Sequence, residues 1–377
     1  VIRQHRRTGL DNEGDIKMRK TGLWSLAMAV AAVVCVFSVG RGTAQAAEAE
    51  SCAPYGSMKF LCGTMGPEDL MPIPNTKWII SGGMSGKDYS GHFYLIDGKA
   101  KTFTVLFPGD KPHMMLDKKM FGSCPGPLDV TKFSAHGLSL RPEAAAGHYK
   151  MYITSHGARE AVEAFELDAS GAKPKLTWVG CVTLPDKTFS NSVAILPDGG
   201  FVVTKFMDPT VPNAFAGIME GKVTGVVYEW HPGDAAVKPI PGTELSGPNG
   251  IEVSKDGKTM YLAIMGAQEV AKYSLGDHFM KEASVKVDIR PDNLRWTADG
   301  KLLAGGGIAA PPPGGPGGGS AGWQVVEIDP ATMAAKPVVT MDGKGPMPSI
   351  SVGVVADGDM WVGAPRGDRV GYMPMGK

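Results

Sequence analysis

Charge of one sign is the first thing this chain lacks. Lys+Arg and Asp+Glu both number 38, so the formal net charge is zero and no broad field draws the protein to nucleic acid or to an anionic membrane. A partner must be recognised locally. Aromatic residues reach only 8%, and long helical stretches are missing because 51 glycines and 29 prolines punctuate the 377 residues. A hydrophobic content of 43% still supplies one large core, and the expected class is all-β. Cysteine is scarce, at five, and no C-x-x-C pair occurs, which argues against a thiolate metal site. A phosphate loop is absent too: Gly305-Gly306-Gly307 is followed by neither a helical pattern nor a Lys-Ser/Thr pair.

Long apolar runs are also missing. The run from Leu23 to Phe37 is fifteen residues, short for a bilayer core that takes about twenty. Arg19 and Lys20 precede it and Ala44-Gln45-Ala46 follows, the arrangement of an export signal. Cleavage is expected after Ala46. Residues 1–46 are then an N-terminal extension and signal peptide, and 47–377 one domain, secreted or periplasmic, with no membrane span once the signal is gone. A membrane anchor is the alternative. The basic, polar stretch before Met18 reads as an extension upstream of the true start. Cys35 would leave with the signal, and Val34 before it does not fit a lipoprotein anchor. Cys52, Cys62, Cys124 and Cys181 remain, and an oxidising compartment permits one or two disulfides among them, in pairings that sequence leaves open.

What is present is a repeat. Six short segments lead from a polar residue into an apolar strand and then a turn: Glu68-Asp69-Leu70, His136-Gly137-Leu138, Asn191-Ser192-Val193, Asn249-Gly250-Ile251, Asn293-Leu294-Arg295 and Ser351-Val352-Gly353. Their starts lie 44 to 68 residues apart, room for about four strands each. Between them run hairpins such as Gly91 to Ile96 and Lys101 to Leu106, expected to meet in a tight turn at Asp97-Gly98. The Pro/Gly segment from Pro311 to Gly319 reads as an exposed loop. These features predict an all-β, six-bladed β-propeller. The innermost strands of such a fold run in one direction along a central channel, so all six polar starts gather at one mouth. A β-sandwich with appended strands would explain the turn spacing but not the recurring polar start.

Glu68, Asn191, Asn249, Asp292 and Asn293 offer only oxygen, as two carboxylates and three amides, and such hard ligands suit calcium. Two negative charges would balance one dication. An asparagine before a strand commonly caps its own backbone instead, but the same position recurs across repeats. His136 opens one repeat in place of an oxygen ligand. His92 and His113 lack polar companions at ligand spacing and read as surface or packing residues. Met71, Met84, Met114, Met115, Met207 and Met265 would either line an apolar mouth or fill gaps in the core.

Gly66-Pro67-Glu68-Asp69-Leu70, Phe133-Ser134-Ala135-His136-Gly137-Leu138-Ser139, Gly247-Pro248-Asn249-Gly250-Ile251 with Ser254-Lys255-Asp256-Gly257-Lys258, and Asp292-Asn293 resemble, in order and spacing, the motifs of the serum paraoxonase/arylesterase family. The resemblance runs from about residue 60 to the C-terminus. It implies a six-bladed propeller with calcium in the channel that hydrolyses lactones and aryl esters, within a superfamily that includes gluconolactonase-like members. It implies catalytic calcium on Glu68, Asn191, Asn249, Asp292 and Asn293, His136 as general base and His156 as the second histidine of a dyad. A second, structural calcium of that family uses an Asp after the Glu and another after the first Asn; here Asp69 is present but Ser192 replaces the other, so a second ion is not expected. The substrate implied is a small ester or lactone. A noncatalytic calcium-stabilised propeller and a gluconolactonase-type sugar lactonase are the alternatives.

Overall fold

The computed structural model describes residues 52–276, 278–309 and 320–375. The expected export signal and the Pro/Gly segment expected to be a loop both lie outside these residues. Among the described residues no helix is long and apolar enough to cross a membrane. Six antiparallel sheets follow one another along the chain, each built by successive hairpins, as the repeat predicts. Their inner strands are Pro67–Pro72, Ala135–Pro142, Phe189–Ile195, Pro248–Val253, Ile289–Trp296 and Val352–Ala356, numbered here as blades 1 to 6. Most residues of these strands are buried, as strands enclosed by neighbouring blades must be.

Two features of the architecture have no signature in the repeat. Blade 6 takes its outermost strand from the start of the domain, where Lys59–Cys62 pairs with Arg369–Pro374 and closes the circle. Blade 2 gains a fifth, parallel strand, His113–Met114, against Lys175–Thr183. Disulfides brace both places: Cys52 bonds Cys62 at the closing strand, and Cys124 bonds Cys181 beside the added one. The Asp97-Gly98 hairpin forms, but not as a two-residue turn. The Asp97 carboxylate accepts from the Lys99 and Ala100 amides, and the left-handed residue is Lys101 at φ 57°. An aspartate that satisfies the amides itself opens a longer turn.

Packing between blades is apolar and aromatic. Phe93, Phe107, Phe133 and Phe165 meet edge to face between blades 1 and 2, with centroids 5.1 to 5.5 Å apart across the tighter contacts. Each such ring, fully buried, contributes about 1.5–3 kcal/mol. Most of these methionines take the packing role. Met71 and Met114 pack on the core of blades 1 to 3, Met207 and Met265 join a small cluster with Phe206 and Ile218, and Met115 is exposed.

Candidate functional site

Every polar start except the last sits in an irregularity of its inner strand. Pairing with the second strand shifts between Pro67 and Asp69, Ala135 and Leu138, Ser190 and Val193, Pro248 and Ile251, and Pro291 and Leu294. Blade 6 pairs without a shift. A bulge leaves its extra residue free of the ladder and re-aims the side chain, so Glu68, His136, Asn191, Asn249, Asp292 and Asn293 are turned toward the axis.

The bulges are held by neighbouring blades. Thr154 Oγ1 accepts from Gly137 N at 2.9 Å and donates to Asn191 O at 2.7 Å, and Thr204 Oγ1 accepts from Ser192 N at 3.0 Å and donates to Asn249 O at 2.9 Å. Ser351, the start without a ligand, donates to Glu68 O. Gly137 and Gly250 are required by close approach. A Cβ on either would lie 2.5 Å from Asn191 O or 2.3 Å from Asp292 O.

The five oxygen-bearing residues form one buried ring with the histidines beside it. Asn293 Nδ2 donates to Glu68 Oε1 at 2.8 Å, Glu68 Oε1 lies 3.5 Å from His136 Nε2, and Asn191 Nδ2 lies 3.2 Å from the same nitrogen. Glu68 Oε2, Asn191 Oδ1, Asn249 Oδ1, Asp292 Oδ1 and Asn293 Oδ1 are all buried without a hydrogen-bond partner. An unsatisfied buried polar atom costs about 1–3 kcal/mol, and native proteins carry few of them without a reason such as a bound ion. One such oxygen on each of five convergent residues fits a hard dication. Among the described residues no three His, Cys, Asp or Glu side chains are grouped to hold a metal alone, so the amides are needed.

Electrostatics point the same way. Burial drives the Asp292 carboxyl well above its usual range, and Glu68 beside it adds repulsion. Burial presses the His136 pKa down, but Glu68, then Asp292 and Asp69, outweigh it and hold the value above that of an ordinary histidine. Carboxyl groups are thus crowded together where the partnerless oxygens are.

His156 lies where a dyad requires it, with Nε2 2.7 Å from His136 Nδ1. Its Nδ1 faces Glu160, 2.9 Å from Oε2, and Glu160 Oε1 is fixed by the Ser190 amide and hydroxyl, both at 2.6 Å. Phe189 stacks on the His156 ring at 4.2 Å with 5° between planes. Burial lowers the His156 pKa, and Glu160 offsets this only in part. Glu160 escaped the sequence reading. Its one signal is its place four residues after His156 in the turn of a hairpin, where both ends return to the same spot.

A pocket of about 530 Å³ lies against His156, lined also by Ser85, Lys87, Ser90, Thr131 and Lys132. His92 keeps Nδ1 buried without a partner, and His113 is exposed; neither joins the ring.

Residues 87–308, more than half of the chain, match the family described as SMP-30/Gluconolactonase/LRE-like region. That span holds Asn191, Asn249, Asp292, Asn293 and both histidines, and Glu68 precedes it. Among solved structures the chain is similar to a luciferin-regenerating enzyme, at 14% identity and a TM-score of 0.52 over 84% of this chain and 94% of that one. It is also similar to a calcium-binding protein, regucalcin, of Agrobacterium tumefaciens str. C58, at 13% identity and a TM-score of 0.49 over 86% of this chain and 96% of that one. At 14% identity the first likeness shows the fold alone.

Proposed function

The chain belongs to the SMP-30/gluconolactonase/LRE-like family, and on that premise we propose that it is an exported, calcium-dependent hydrolase of lactones and aryl esters, paraoxonase-like in its site. One observation carries the reading: five convergent residues each keep a buried oxygen without a partner, next to a paired-histidine relay. Two disulfides support an oxidising destination.

Glu68 and Asp292 would hold the calcium through carboxylates, and Asn191, Asn249 and Asn293 through amide oxygens. Calcium takes about six to eight oxygens, which leaves room for water and a substrate carbonyl. When bound it supplies Lewis acidity and stabilises the oxyanion that forms as the carbonyl carbon becomes tetrahedral.

The rest falls to the chain's own groups. Glu160 only accepts, so His156 Nδ1 carries a hydrogen and its Nε2 accepts from His136 Nδ1. With His136 neutral, its Nε2 is then left with a lone pair, the nitrogen that faces the ring. That nitrogen takes the proton from the attacking water as general base. The positive charge that results is shared toward His156 and Glu160, and Phe189, stacked on the His156 ring, holds that ring in its orientation.

The polar lining of the pocket at His156 favours a second reading, a gluconolactonase-type sugar lactonase, with the same ring and relay. A panel of an aliphatic lactone, an aryl ester and a sugar lactone, assayed before and after EGTA and again with calcium restored, separates the readings. Hydrolysis of the first two that vanishes with EGTA and returns with calcium is expected. Turnover of the sugar lactone alone would transfer the assignment, and turnover that survives complete metal removal would overturn the mechanism. No turnover with calcium tightly bound would make the protein a binding module.

A further inference from the structure

Beneath the ring, the same inner strands build a second polar layer. Asp69 follows Glu68, Leu138 comes two residues after His136, Glu252 three after Asn249, and Arg295 two after Asn293. Arg295 is 1% exposed. Its Nη2 donates to Asp69 Oδ2 and, at 3.0 Å, to Leu138 O. Its Nη1 donates to Glu252 Oε1 at 3.2 Å and Leu294 O at 2.6 Å, and its Nε to Leu70 O at 3.2 Å. A guanidinium has five N–H donors, and all five are matched to acceptors drawn from blades 1, 2, 4 and 5.

These acceptors are carboxylate and main-chain carbonyl oxygens, the donors that calcium itself takes. The second, structural calcium of the paraoxonase family would rest here on Asp69 and on an acid at position 192. Ser192 stands there, with its hydroxyl buried and without a partner, and Asp69 is already engaged by Arg295. The residues present do not fit a second ion.

We infer that Arg295 is the resident cation of the lower channel, taking the place of a second metal. The protein is therefore built for one metal ion, and the cohesion of its inner strands does not depend on calcium. Arg295 is a positioning residue: it fixes Asp69 beside Glu68 and its own strand beside Asn293, and it touches neither ring oxygen nor histidine.

The test is an ion count by calorimetric titration of calcium into EGTA-stripped full chain. The wild type is expected to take no more than one ion. Ser192→Asp alone should also take no more, because the guanidinium already holds the place. Ser192→Asp with Arg295→Ala should take one more ion than the wild type and melt at higher temperature when calcium is added. A second ion in the wild type or in Ser192→Asp overturns the inference, as does a folded double variant that gains none. If the double variant does not fold, the first two counts decide. A wild type that binds no calcium strikes at the proposed hydrolase and leaves the count of Arg295 against a second metal standing.

Discussion

Two layers of one channel, a few residues apart on the same strands, are finished in opposite ways. In the upper layer five residues each keep a buried oxygen without a partner. In the lower layer every N–H of Arg295 is matched and both nearby carboxylates are engaged. Burial does not separate them: Glu68 and Asp69 are exposed by 1% and 0%. The difference is whether the chain supplies the cation. Where it does, the charges have become part of the fold; where it does not, acceptors remain costly until something arrives from outside.

The largest effect should come from breaking the complete layer. Arg295→Ala leaves Asp69 and Glu252 buried without a counter-charge, and loss of one partner from a buried ion pair costs about 3–5 kcal/mol. Chemical denaturation in EGTA should record that loss, whereas no loss would mean that the two layers are not different in kind. Next comes the relay. His136→Gln should lower kcat/KM by about 10²–10⁴ while calcium affinity holds; full activity toward every ester and lactone would remove His136 from the mechanism. Asp292→Asn should weaken calcium by about two orders of magnitude, since ligand charge tunes such sites over that range. The same variant should keep or gain stability in EGTA, because a repelled buried charge has gone, and a stability loss there would assign Asp292 to structure.

The smallest expected effect is a titration. The carboxylates around His136 hold its pKa above the ordinary histidine value. A dication that neutralises them must let that pKa fall, so the His136 ring, followed by NMR, should lose its proton at lower pH with calcium than with EGTA. An unchanged titration would place the cation elsewhere.

The upper layer was legible in the sequence because the repeat carries it. Glu68, His136, Asn191, Asn249 and Asn293 occupy the same place in successive repeats, and the bulges that aim them fall at those places. The lower layer was not. An arginine next to the last residue of an inner strand carries no repeat signal of its own, and only the meeting of blades 1, 2, 4 and 5 reveals five acceptors around it. Glu160 was hidden for the same reason: its partners His156 and Ser190 are joined by the fold and not by any motif. The closing strand Lys59–Cys62 lies outside the repeat altogether, and only its pairing with Arg369–Pro374 identifies it.

The most direct test of the central claim is to add calcium stepwise to stripped wild-type protein and measure, on the same samples, bound ion and the rate of lactone hydrolysis. The rate should rise in proportion to bound calcium and level off when one ion per chain is held. Full hydrolysis before any calcium is added, or none once the site is filled, would contradict it.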